Sequence, residues 1–336
     1  MVSRTQDQIT NSWNETETVA VSVVCTTYNH ELYIREALEG FLMQVTTFPF
    51  EIIIHDDAST DNTGNIIREY GSKYPAIIRP IFQSENQYSK GGFKPIAYAA
   101  QFAQGIYIAV CEGDDYWCDE RKLQLQFDAL EAAVAVDMCV HPAYRLKKDN
   151  RSKKPFWKVP PRLYSSLEVA LSRTGFAPTS SYFIRRDVMK SLPAWFYRDA
   201  PVGDFFMEIF GSAAGGVLYM KQPMAVYRVK SVGSWTSEMS KNPEVHLPKL
   251  EAMIIALERL GIDFPSIKTA LERRCAVPLL KISVVNLRLG KEAEFKENIC
   301  KSWKARNFLS IKQVMLYFLR SRPALLRRIY VRYLGG

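Results

Sequence analysis

The stretch CEGDDYW, residues 111–117, sets three carboxylates within four positions directly after the apolar run 106–110. Glu112, Asp114 and Asp115 at a strand end raise one another's pKa when nothing cationic lies among them. A divalent ion relieves that conflict. Hard oxygen ligands suit Mg2+ or Mn2+, which completes its shell with water and a substrate diphosphate. A second acidic stretch, HDDASTD at 55–61, also follows an apolar run. Its Asp57 is an acceptor-only group able to meet a nucleobase N–H or ribose hydroxyls. Tyr28, in TTYNH after a third apolar run, carries a ring suited to stacking on a base or to packing. Asp and Ser are also common helix caps, so capping is a second account of both acidic stretches.

These loops need elements to hold them. The run AVSVVC (20–25) predicts a strand, and Tyr33/Ile34, Ala37/Leu38 and Phe41/Leu42 behind it fall at helical spacing. FEIIIH (50–55) predicts a second strand, with turn and cap residues before the next helix; AIIRPIF (76–82) predicts a third. The polar loop QSENQYSKGG and the helix PIAYAAQFAQG, stopped by glycine, lead to a fourth strand, IYIAV. Nearly continuous apolar strands alternating with helices argue for an α/β fold whose parallel sheet is covered on both faces. Ligands gather at the carboxyl ends of such strands. The three loops then share one edge, and their carboxylates a cleft. Further on, ERKLQLQFDALEAA reads as a helix, AVDMCVHPAYRL as one strand, and the basic residues 147–162 as an exposed loop or hairpin. SYFIRRDVMKSL reads as strand then helix, GDFFMEIF as a helix, and VLYMKQPMAVYRV as two short strands around a turn. Periodicity is helical from Asn242 on. The expected partition is a flexible terminus at 1–18, a catalytic domain at 19–240 and a helical basic region at 241–336.

Taken in order, VSVVCTTYNH, EIIIHDDASTDNT and YIAVCEGDDYWCDERKLQLQ resemble the family 2 glycosyltransferases, inverting enzymes with a GT-A, Rossmann-like fold that use nucleotide-diphosphate sugars. The resemblance covers residues 20–130 densely and 175–235 more loosely. It implies that Thr26 and Tyr28 lie at the base of a nucleotide and that Asp57 recognises uracil or another base. It also implies that Asp114 is the metal-contacting second acid of the DxD motif, with Asp115 beside it on the nucleotide side. Glu112 stands where the family has its first Asp. The longer arm leaves direct and water-mediated contact to the metal both open. VGDFFMEIF resembles the helix whose first Asp is the general base, which assigns that role to Asp204, with Glu208 one turn on as the reserve. AVYRVKSVGSW resembles the segment that closes over the diphosphate. Relatives often carry His where this chain has Lys230, and a protonated Lys cannot coordinate metal, so Arg228 and Lys230 are expected on phosphate oxygens. Thr179 and Ser180, in APTSSYFIRR, fall on the acceptor side, and Asn86 and Lys90 in the loop expected to fold over the donor.

The implied activity is transfer of a hexosyl group, with Mn2+ or Mg2+, from a UDP-sugar or similar donor to a glycan or lipid-linked acceptor in surface polysaccharide synthesis. A catalytically inactive nucleotide-sugar-binding or scaffold protein of the same fold is the alternative. A dinucleotide-dependent enzyme is disfavoured because no GxGxxG follows the first strand. Nucleic-acid binding is disfavoured because no recognised motif accompanies the charge. The net charge of +9 equals the nine basic residues from Lys301 onward, where there is no Asp or Glu. Such a segment suits either an anionic membrane surface or docking on protein, including a second copy. Six cysteines without CxxC pairing suit reduced, mostly buried thiols. With no apolar run near 20 residues and no basic-then-apolar leader, the expected place is the cytoplasm, with peripheral contact at the inner face of the membrane.

Overall fold

The computed structural model describes residues 4–13, 18–147, 150–152, 154–157, 159–172, 175–229, 231 and 247–333. The chain divides into one unit of Met1–Arg198 with Gly203–Ser237 and another of Asp199–Val202 with Glu238–Gly336. The expected boundary near residue 240 and the diphosphate candidate Lys230 lie outside the described residues.

The first unit is built on β1 (Val21–Thr27), β2 (Phe50–Asp56), β3 (Ile78–Phe82) and β4 (Tyr107–Glu112), parallel and in the order β3-β2-β1-β4. Every residue of β1 and β2 is buried, as expected for strands covered on both faces. Helices α1 (Gln6–Thr10), α2 (Ile34–Leu42), α3 (Thr63–Lys73) and α4 (Pro95–Ala100) occupy the connections and the start of the chain. In register, Thr26 of β1 stands between His55 of β2 and Glu112 of β4. The three loops therefore leave the sheet at one edge.

After β5 (Tyr116–Trp117) and α5 (Lys122–Ala132), the predicted single strand 135–146 is two: β6 (Met138–Val140) and β7 (Ala143–Lys147). The break falls at His141-Pro142, because proline has no N–H to continue a ladder. β6 joins the large sheet and β7 a second one, where it forms a hairpin with β8 (Asn150–Arg151). β9 (Arg162–Tyr164), α6 (Ser166–Leu171), β10 (Phe183–Arg185), α7 (Arg186–Lys190), α8 (Ala194–Asp199), α9 (Asp204–Gly211), β11 (Val217–Tyr219) and β12 (Ala225–Arg228) follow. The large sheet continues from β4 as β10-β6-β11-β9, with β10 antiparallel to both neighbours. The smaller sheet runs β5-β12-β7-β8, so β11 and β12 separate into different sheets instead of pairing with each other.

The second sheet holds the acidic loop from behind. β5 pairs with β12, and the Trp117 indole N–H donates to the Ser180 carbonyl at 2.9 Å. Gly40 of α2 lets the backbone of Trp117 come close, since a Cβ there would lie 2.8 Å from the Trp117 carbonyl oxygen.

The second unit is helical: α10 (Leu247–Asp263), α11 (Lys268–Arg274), α12 (Ala276–Arg288), α13 (Glu292–Ala305), α14 (Ile311–Phe318) and α15 (Pro323–Tyr333). Val284, Leu287, Phe295, Ile299, Leu316 and Leu326 make its small core. Ser302 and Gln313 are buried and mutually satisfied, Gln313 Nε2 donating to Ser302 Oγ at 2.9 Å. Among the described residues no helix is long and apolar enough to cross a membrane.

Candidate active site

The end of β1 fastens both acidic loops. Asp57 N–H donates to the Thr27 carbonyl at 3.0 Å, and Gly113 N–H to the Thr26 carbonyl at 2.9 Å. A Cβ on Gly113 would lie 2.9 Å from Thr27 Oγ1 and 3.1 Å from His30 Nδ1, so only glycine allows this approach. The YNH loop is laced to the second acidic loop: Asn29 N–H donates to Ser59 Oγ, and Thr60 N–H to Asn29 Oδ1. Asn29 and Ala58 hold the left-handed conformation that these contacts require, at φ 54° and 62°. Asp56 and Asp61 are structural here. Asp56 accepts from Ser59, and Asp61 from the backbone N–H groups of Glu31 and Thr63.

The third loop sorts its carboxylates by direction. Asp115 is buried, with Oδ1 accepting the Arg228 N–H at 2.8 Å and Oδ2 buried without a partner among the described residues. Burial first, then Asp114 and Glu112, push its pKa well above the ordinary range. Asp114 is partly exposed; its Oδ2 accepts Ser231 Oγ at 2.5 Å. Glu112 is pushed up to about 8 by burial, then by Asp114 and Asp204. That last cause ties the far end of the unit to the acidic loop. Asp204 is exposed at the start of α9 and accepts the neighbouring Phe205 N–H at 2.8 Å. Its charge also acts on Tyr88 and Tyr182. Glu112, Asp114 and Asp204 thus form one electrostatic cluster.

Asp57 accepts two backbone N–H groups of the loop 83–92, from Gln87 on Oδ1 and Tyr88 on Oδ2, each at 2.9 Å. Each carboxylate oxygen keeps a second lone pair. Tyr28 is 40% exposed and Thr26 is buried.

Several expected contacts are committed elsewhere. The Arg228 guanidinium does not face an open diphosphate site: it pairs with Glu36 of α2, donates to the Asp114 carbonyl at 2.6 Å and lies over Tyr33 and Tyr116. Asn86 Oδ1 accepts Ser89 N–H and Lys90 pairs with Glu85, so both brace the loop itself. Asp115, expected on the nucleotide side, is buried, with Oδ1 on the Arg228 N–H. Ser180 is fully buried, with its hydroxyl unpartnered among the described residues, and cannot meet an acceptor in this conformation; Thr179 is partly exposed. Glu208 is fully buried, where it accepts the N–H groups of Phe176 and Ala177 and the Tyr182 hydroxyl. Burial, then Asp204, raise its pKa to about 7. Such a carboxylate holds the segment 176–182 and is not a base open to substrate. Sequence reasoning missed Glu36, which no local motif marks, and did not single out Ser231 and Tyr88 within the segments 225–235 and 83–92.

Among the described residues no group of three or more His, Cys, Asp and Glu could hold a metal by protein ligands alone. The crowding that lifts the pKa of Glu112 fits a cation held by Asp114, with Glu112 at its edge, because Mg2+ takes one or two carboxylates and keeps water and phosphate for the rest.

The model of Glycosyl transferase family 2 matches residues 22–192. The chain belongs to this family. It is a glycosyltransferase of GT-A fold. An uncharacterized protein of Mycobacterium tuberculosis is 35% identical over 240 residues, 71% of this chain and 67% of that protein. The structure of Staphylococcus aureus TarS 1-349 in complex with UDP-GlcNAc matches with a TM-score of 0.64 at 16% identity, over 94% of this chain and 92% of that one. TarS bears the name poly(ribitol-phosphate) beta-N-acetylglucosaminyltransferase and is 37% identical over 98 residues, 28% of this chain and 16% of TarS. A mannosyltransferase from Pyrobaculum calidifontis in complex with GDP-Man and Mn2+ matches with a TM-score of 0.52 at 13% identity, over 95% of this chain and 88% of that one. At 16% and 13% identity these structures speak for the fold.

Proposed function

We propose that this glycosyltransferase carries out a metal-dependent, inverting transfer from a nucleotide-diphosphate sugar, a UDP-sugar first, to a glycan or lipid-linked acceptor in surface polysaccharide synthesis. The observation that carries the reading is the electrostatic cluster of Glu112, Asp114 and Asp204 beside the loop that Asp57 holds. Asp57, together with the exposed Tyr28, receives the base. Asp114 holds Mn2+ or Mg2+, with Glu112 in direct or water-mediated contact. The ion, when bound, offsets the charge that builds on the leaving diphosphate. Asp204 takes the proton of the acceptor hydroxyl as that oxygen attacks the anomeric carbon opposite the diphosphate, so the configuration inverts. Thr179 lies on the acceptor side, and Lys230 is assigned to phosphate oxygens.

The UDP-GlcNAc and poly(ribitol-phosphate) of TarS, together with the Mn2+ of the mannosyltransferase, support a nucleotide-sugar donor, a polyhydroxylated polymer acceptor and a divalent ion. The segment from Lys301 onward, basic throughout and exposing Phe308, Ile311 and Phe318, is assigned to the anionic inner face of the cytoplasmic membrane.

Thermal unfolding of the full chain with UDP-sugars or GDP-sugars, with and without Mn2+, tests the core of this reading. A ligand at about a hundred times its Kd adds about 3 kcal/mol to the folded state. The expected result is a nucleotide-sugar-specific rise in Tm that needs Mn2+ and is lost in Asp114→Ala. A rise that survives Asp114→Ala unchanged, or no rise with any donor, refutes the assignment.

A further inference from the structure

A cavity of about 340 Å3 opens beside the donor-side loop, lined by Phe93, Lys94, Tyr98, Gln101, Lys190 and Tyr197. That volume lies within the range of small-molecule sites. Among the described residues none of the carboxylates of the transfer site lines it, nor does any other acid. Lys94 is half-buried, and neither Lys94 nor Lys190 has an ion-pair partner among the described residues. Burial holds the Lys94 ammonium below its ordinary pKa. A cation withdrawn from water and left unpaired costs free energy that an arriving anion returns.

The rest of the lining suits a hydroxyl-bearing chain. Three aromatic rings present apolar faces of the kind that accept the C–H surface of a sugar or polyol. Tyr197 OH accepts Gln101 Nε2 at 3.1 Å, leaving the tyrosine proton and Gln101 Oε1 for a ligand. Phe93 and Tyr98, 5.1 Å apart, both pack on buried His55, two residues before Asp57. Tyr197 lies on α8, which precedes Asp204 in the chain. Gly92 also lines the cavity, with φ of 69° and open space where a Cβ would stand.

We propose that this cavity is a subsite for an anionic stretch of the acceptor glycan, a phosphodiester- or carboxylate-bearing sugar or polyol, held by Lys94 and Lys190. The inference rests on the acceptor being a glycan, as argued above. Calorimetric titration of the full chain at physiological ionic strength, where diffuse attraction to the basic tail is screened, tests it with three probes: a glycerol-phosphate oligomer, an oligogalacturonate and a neutral malto-oligosaccharide. At least one anionic oligomer binds and the neutral one does not; the stronger of the two anions identifies the charged group. Lys94→Gln combined with Lys190→Gln weakens that binding about tenfold or more, as expected for two lost charge-assisted contacts, and leaves the nucleotide-sugar rise in Tm unchanged. Equal binding of the neutral oligomer, binding of none, or full affinity in the double variant overturns the proposal. A missing nucleotide-sugar response with intact anion binding counts against the donor reading alone.

Discussion

Glu208→Gln separates a buried carboxylate's structural work from its charge. In the folded protein Glu208 is fully buried and its pKa stands at about 7, against 4.5 for an unperturbed Glu. The folded state therefore keeps a proton that the unfolded chain has released between those two values. The stabilisation is fully present below 4.5 and is lost as the pH rises through 7. The whole shift is worth about 3 kcal/mol, of which about 2 to 3 kcal/mol falls between pH values of about 5 and 8. Glutamine does not titrate there. Its amide oxygen at the Oε1 position retains the Ala177 N–H and Tyr182 hydroxyl contacts, while its NH2 group opposes the Phe176 N–H. That donor-on-donor contact costs about 1–3 kcal/mol at every pH. Urea unfolding of both proteins across this window reads the difference directly. The elevated values of Glu112 and Asp115 are common to both proteins and cancel. The stability of wild type relative to the variant falls by about 2 to 3 kcal/mol from the acid end to the basic end. Parallel stability curves refute the assignment of a titrating, buried Glu208.

Asp204→Asn keeps the shape of the side chain and its contact to Phe205 N–H but cannot take a proton. Donor binding, read by the Mn2+-dependent shift in Tm, stays at the wild-type level, while single-turnover transfer falls by about 10^2 to 10^4; wild-type turnover rules Asp204 out as the base. Replacing Phe308, Ile311 and Phe318 together by Asp removes three side chains that are 70%, 90% and 62% exposed and sets acids among the basic residues. Co-sedimentation with anionic vesicles is lost in this variant while transfer to a soluble acceptor persists, and unchanged sedimentation refutes the membrane assignment.

The parallel core was legible because strands buried on both faces must be continuous apolar runs, and the runs before Tyr28, Asp57 and Glu112 are of that kind. The convergence of their loops followed from sheet geometry alone. What escaped the sequence was the fate of long side chains. Arg228 reads as a phosphate ligand until Glu36, 192 positions earlier, claims its guanidinium. Lys90 reads as a donor contact in the loop 83–92 until Glu85 pairs with it. The split at His141-Pro142 was visible as a proline, but a second sheet waiting to receive the chain beyond it was not.

The three crowded carboxylates of residues 112–115 resolve into two kinds at the turn that follows β4, which the Asp115 N–H closes on the Glu112 carbonyl at 3.0 Å. Glu112 and Asp114 are two apart, and both reach the partly exposed side, where the charge of Asp204 is felt. Asp115, at the end of the turn, is buried and takes the N–H of Arg228. Its neighbour's carbonyl receives the same residue's guanidinium, which also reaches Glu36 on α2. One inward acid thus fastens the loop to β12 and, through Arg228, to α2, while of the outward pair Asp114 accepts Ser231 Oγ on Oδ2 and keeps further lone pairs for a ligand. A carboxylate pair held rigid and left crowded is costly without a cation and ready for one. In this arrangement the tightness of the loop and its affinity for a charged ligand have the same physical origin.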